Sequence, residues 1–286
     1  MIVRCLHLGF LFFLLSLNLS FQWPAKEGTV TSIFGESRGD HFHDGVDIVS
    51  PDKKVYPIAG GTLVYLWNRG LFPLEQYPGG GNYAVVKHDG GILSLYLHLE
   101  DTSTFKEILT KNDALGTYGN TGRSYGKHLH FSLLKPVERT SINPLAVLPP
   151  YPDEKAPEVK GAFIRIGDRY HGIREGASIV LTRHYPLLVE ITDSARGKEK
   201  LGIYSIKVNF NSTGVLEINF SQLGYSKNGL TFSDKTFQDL FDEKGYYKIA
   251  DIRYVEGINH LKVTARDYSG NETTKEISFN VNLQAN

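Results

Sequence analysis

Apolar and polar positions alternate along this chain in short runs, each broken by Gly, Asp, Asn or Pro, with no sustained 3.6-residue period. That pattern predicts an all-β protein, mostly antiparallel. In ILSLYLHL (92–99), Leu93, Leu95 and Leu97 alternate with Ser94, Tyr96 and His98. The leucine face is expected to enter a core, and Tyr96 and His98 to emerge on the polar face. In GKHLHFSL (126–133), side chains two apart share a side of the strand. Leu129 and Phe131 are therefore expected to point into a core and His128 and His130 away from it. A proline-rich, charged stretch, LPPYPDEKAP (148–157), reads as a linker. Beyond it lie about seven further strand-like runs, among them AFIRIG, PLLVEIT, GIYSIKVNF and TKEISFNVNL, which predict a β-sandwich. TFQDLFDEKG (236–245) reads as a short helix or a loop. Asp267, Gly270 and Asn271 read as turn formers in a final hairpin of immunoglobulin-like type.

Candidate chemistry sits in three separated segments. HFHDGVDI carries His43 and Asp47, LYLHL carries His98, and GKHLHF carries His128 and His130. Gly45, between His43 and Asp47, would let the backbone bend so that both side chains reach one point. A lone strand histidine is more often structural than functional. Three such segments in one chain point instead to a zinc site, for which three of the five side chains suffice while one coordination position stays open. The other two are then left for acid, base or polarising work. His41 is a competing ligand by spacing. His88, His171, His184 and His260 receive no role.

SIFGESRGDHFHDGVDI, PIAGGTLVYL, GNYAVVKHDGGILSLYLHL, GNTGRSYGKHLHFSL and INPLAVL all lie within residues 28–148. This stretch resembles the lysostaphin/LytM-type zinc metalloendopeptidases, which cut peptide cross-bridges of bacterial cell walls. The resemblance implies an antiparallel β fold of the duplicated-hybrid-motif kind with a groove at the metal. It implies Zn2+ held by His43, Asp47 and His130, with His98 and His128 as the catalytic histidines. It further implies a peptidoglycan peptide as substrate. Relatives that act as regulators without catalysis usually lack part of this set, and here all five positions are filled. The segment LWNRGLFPLEQYPGGGNYAVV is longer than the family pattern; Pro73, Pro78 and Gly79 to Gly81 mark it as a loop that could border the groove.

Charge and the chain's start complete the reading. Lys and Arg total 31, as do Asp and Glu, so the formal net charge is zero, which argues against a nucleic-acid partner. Arg4 followed by LHLGFLFFLLSLNLSF reads as a signal peptide over residues 1–20 and hence a secreted or periplasmic protein. The apolar run is short for a membrane span, which needs about 20 residues. Cys5, the sole cysteine, lies within residues 1–20 ahead of that run, so no disulfide is expected in the mature protein. The expected division is a peptidase domain over 21–149, a linker over 150–157 and an immunoglobulin-like sandwich over 158–286.

Overall fold

The structure is a computed structural model that describes residues 21–76, 79–102, 104–195, 200–227, 229–249 and 252–284. The expected signal peptide, 1–20, lies outside them. The first half contributes β1 (Thr29–Ser32), β2 (Val46–Val49), β3 (Lys54–Val55), β4 (Gly61–Trp67), β5 (Asn82–Lys87), β6 (Leu93–Thr102), β7 (Ile108–Leu109), β8 (Gly116–Tyr118), β9 (Leu129–Lys135) and β10 (Thr140–Ile142). All their pairings are antiparallel. β10, β9, β6, β5, β4 and β7 lie side by side in that order, and β2 pairs with β9 and β1.

Leu129 and Phe131 of β9 are fully buried, as their alternation predicts, beside Val46 and Ile48 of β2. The expectation for β6 is reversed. Ser94 and Tyr96 are the fully buried side chains, while Leu93, Leu95 and Leu97 remain half-exposed. Polar groups on this face are satisfied internally. The Tyr96 hydroxyl accepts from the Ile58 N–H at 2.9 Å and lies 2.9 Å from Ser94 Oγ. With its oxygen so partnered, the ring packs 5.3 Å from Phe131 as ordinary core.

The second half contributes β11 (Glu158–Ile166), β12 (Arg169–Ile173), β13 (Ser178–Leu181), β14 (Leu187–Thr192), β15 (Ser205–Phe210), β16 (Thr213–Asn219), β17 (Gln222–Ser226), β18 (Gly229–Thr231), the single-turn α1 (Phe237–Leu240), β19 (Tyr247–Ile249), β20 (Gly257–Arg266) and β21 (Glu272–Leu283). One sheet runs β12–β11–β14–β19 and a second β13–β21–β20–β15–β16. They close on a shared core that includes Ile164, Val189, Val208, Val263 and Phe279, which makes a β-sandwich. Asp267 accepts from the Asn271 N–H at 2.8 Å and Gly270 takes φ 93°, so these residues do form the last turn.

Contacts between the halves are extensive. β17 leaves the sandwich and pairs with β10, extending the first half's sheet through β17 to β18. Phe34 and Phe42, from the segment between β1 and β2, are buried in the core of the second half. Val30 and Ile33 pack with Ala195 and Leu201 in a smaller cluster. No helix among the described residues is long and apolar enough to cross a membrane.

Candidate metal centre

β2 and β9 are neighbours in a register that sets Asp47 directly opposite His130. His43 enters from the loop before β2. His43 Nε2, Asp47 Oδ1 and His130 Nδ1 form a triangle with sides of 3.0, 3.0 and 3.1 Å. Two zinc ligands at 2.0–2.1 Å in a tetrahedron are about 3.3 Å apart, so the triangle is near the size that one zinc requires. The glycine between them serves a different purpose from the expected bend. A Cβ on Gly45 would fall 2.4 Å from the Phe131 carbonyl oxygen, 2.6 Å from Ser132 Oγ and 2.8 Å from His130 Nε2. Gly45 is there because the strand carrying His130 passes too close for any side chain.

Tautomers follow from the partners of the remaining ring nitrogens. His43 Nδ1–H donates to the Ile33 carbonyl at 2.8 Å. His130 Nε2–H donates to Ser132 Oγ at 2.8 Å, with Asp44 Oδ1 at 3.3 Å. Each ring thus presents a lone pair to the triangle, as a metal requires. Burial opposes the charge on Asp47, but His43 and His130 outweigh it and hold the carboxyl well below the usual carboxylate range. Burial likewise opposes a charged His130, and Asp44 and Asp47 outweigh it, pushing its pKa up to about 9. Without a metal, a second proton on His130 offsets the acidic pair; a cation would take that proton's place.

His98 and His128 stand beside this triangle. Their rings are 5.0 Å apart, and His128 Nε2 lies 3.5 Å from Asp47 Oδ1. His98 Nδ1–H donates to the Thr121 carbonyl at 2.8 Å and His128 Nδ1–H to the Gly126 carbonyl at 3.0 Å. Among the described residues, Nε2 of neither ring has a backbone partner. Burial, then the charge of His130, pushes His98 down to about 4; burial is also the main cause that lowers His128. His98 adopts φ 63° where the β5–β6 register shifts, and its N–H is held by the Gly80 carbonyl at 2.9 Å. All five predicted side chains therefore meet at one place. His41 does not join them: it is exposed and pairs with Asp40 at 2.5 Å. His88 is buried between the Gly60 carbonyl and Ser94.

The five line a cavity of about 850 Å³ that opens to solvent between two loops. Gly79 and Gly80, at the end of the long segment, form one edge; Arg123 to Lys127 form the other. The loops are fastened where the Arg123 N–H donates to the Gly79 carbonyl at 2.7 Å. Gly122 makes this possible: at φ 75°, a Cβ there would lie 2.3 Å from the Gly81 nitrogen. Short-motif reasoning missed several side chains that support the site. Arg38 donates to Asp47 Oδ2 at 2.5 Å, and Ser32, Asp44 and Ser132 contact His43, His130 or Arg38. Ser132 repeats the two-residue spacing of His128 and His130, the one sequence signal among them.

Residues 41–144 match the family model described as Peptidase family M23. A second family model, which carries no description, matches residues 156–282. The DD-carboxypeptidase/endopeptidase Mpg of Neisseria meningitidis is 30% identical over 39% of this chain and 24% of its own length. The peptidoglycan DD-endopeptidase ShyA of Vibrio cholerae is 32% identical over 35% of this chain and 23% of its own length. The murein hydrolase activator NlpD of Escherichia coli is 34% identical over 46% of this chain and 31% of its own length. The chain thus spans less than a third of each of these relatives. A crystal structure of a zinc-containing peptidase from Vibrio cholerae aligns with 40% of this chain and 36% of that one, at 28% identity and a TM-score of 0.35.

Proposed function

Residues 41–144 are a Peptidase family M23 domain, whose metal is zinc, and from that premise we propose a zinc-dependent endopeptidase that hydrolyses peptide cross-links of bacterial peptidoglycan in the cell envelope. The observation that carries the proposal is the three-atom triangle with two further histidines beside it, on the floor of an open groove. His43, Asp47 and His130 would hold the metal. Zinc, when bound, supplies Lewis-acid polarisation for amide hydrolysis. His98 and His128 are kept neutral at pH 7, so each can take a proton at Nε2 during attack and return it to the leaving amine. Their Nδ1–H bonds to backbone carbonyls fix the rings in the tautomer this needs. The proposed division into a peptidase over 21–149, a linker over 150–157 and a sandwich over 158–286 assigns the chemistry to the first part.

A second reading is a catalytically silent wall-binding or divisome-type regulator that uses the same groove; the similarity to NlpD favours it. The filled five-residue set and the open groove favour hydrolysis. Digestion of purified peptidoglycan, with and without a chelator, separates them. New peptide termini that vanish with chelator are expected, with glycan strands left intact. Unaltered walls in the presence of zinc-loaded protein would leave the regulator.

A further inference from the structure

We infer that Glu36 is a positioning residue through which the second half of the chain holds His43 and Asp47 in ligating geometry; the inference rests on the metal reading above. The segment from Ile33 to His43 closes on itself. The Gly35 N–H donates to the His43 carbonyl and the His43 N–H to the Glu36 carbonyl, both at 2.8 Å. Where this loop sits, His43 sits.

The Glu36 carboxylate ties that loop to both parts of the molecule. Oε1 accepts from the Ile33 N–H at 2.9 Å and from the Gly202 N–H at 2.8 Å, a residue 166 positions further along the chain. Oε2 accepts from the Ser32 hydroxyl. With its hydrogen so committed, Ser32 Oγ offers lone pairs to Arg38 Nη2 at 2.8 Å and to His43 Nδ1 at 3.2 Å. The same Arg38 nitrogen donates to Asp47 Oδ2 at 2.5 Å. One carboxylate therefore orients Ser32, Ser32 orients Arg38, and Arg38 turns the other carboxylate oxygen of Asp47 toward the triangle. Ile33, held by Glu36 through its N–H, gives its carbonyl to His43 Nδ1–H.

Packing reinforces the tie. A Cβ on Gly202 would lie 2.8 Å from Glu36 Cγ, so the segment before β15 is pressed against this side chain. Phe34 and Phe42, near the two ends of the loop, stack edge-on to Phe232 at 5.8 and 4.9 Å, and Phe42 also meets Phe237 and Phe241. The second half thus grips the loop by its aromatic ends and, through Gly202, by the Glu36 carboxylate.

The test is zinc affinity of the full chain, measured by competition with a chromophoric chelator, together with the cobalt(II) absorption spectrum. Glu36→Ala and Gly202→Ala are expected to bind zinc about 10- to 100-fold more weakly and to alter the cobalt bands. Glu36→Gln keeps the Oε1 acceptor but turns N–H toward Ser32, so its affinity should fall between. Ile164→Ala, on β11 between His171 of β12 and Leu187 of β14, should lower the melting temperature with zinc affinity unchanged. If Glu36→Ala does not fold, Glu36→Gln and Gly202→Ala carry the comparison. Unchanged zinc affinity in the Glu36 and Gly202 variants would overturn the proposal, as would an equal loss in Ile164→Ala. A parent chain that takes up no zinc would overturn the metal reading and this proposal together.

Discussion

At the scale of single residues, the proposed roles separate holding from reacting by where each imidazole stands. His43 Nε2 and His130 Nδ1 face Asp47 Oδ1 at 3.1 and 3.0 Å, whereas His98 and His128 stand one step back. His98→Ala and His128→Ala are therefore expected to lower the hydrolysis rate by about 100- to 10,000-fold. His130 also sets a pH dependence. Its pKa in the metal-free fold is raised from 6.5 to about 9, so the stability it contributes is complete below 6.5 and lost as pH rises through 9. That rise corresponds to about 3 kcal/mol at 1.36 kcal/mol per pH unit. Denaturant unfolding of the metal-free protein should show the decline, and the zinc-loaded protein should not. A flat profile for metal-free protein would mean that His130 is not paired with the two carboxylates. Zinc binding at pH 7 should correspondingly release a proton, seen as a buffer-dependent heat in calorimetry.

At the scale of elements, the antiparallel pairing of β2 and β9 builds the triangle, because it sets Asp47 opposite His130. Gly45→Ala should disturb that pairing, with a cost of about 1–3 kcal/mol from overpacking and a loss of zinc affinity. Equal stability and affinity in this variant would show that the strands have room to part. How much of this was legible in the sequence depends on where the deciding contact lies. Alternation alone placed Leu129 and Phe131 in the core, and the three motif segments named all five site side chains. β6 was misread because alternation shows that two faces differ, not which is inside. Tyr96 became core once its hydroxyl found Ser94, two residues away, and Ile58, which lies 38 positions away and which alternation does not show. Arg38, Ser32 and Glu36 were invisible because what matters is their three-dimensional link to His43 and Asp47. β17 and β18 were missed because glycine and serine interrupt their alternation, and their pairing partner β10 lies in the other half.

At the scale of the whole molecule, the second half supplies surroundings that the metal-bearing half needs. Phe34, Phe42 and the edge of β10 are all covered by residues beyond 157. A chain ending near Pro150 would expose both phenylalanines and leave the Glu36 carboxylate without Gly202. It is expected to be poorly soluble and to bind zinc weakly; a soluble, zinc-replete fragment would show that the first half stands alone. The central claim is that three of the five clustered side chains hold zinc and two act beside it. Zinc content per chain, measured on matched preparations of the parent and the five single-alanine variants, tests it most directly. One zinc is expected in the parent, His98→Ala and His128→Ala, and little or none in His43→Ala, Asp47→Ala and His130→Ala. Loss of zinc in His128→Ala with retention in His130→Ala would exchange their roles, and a parent without zinc would contradict the account.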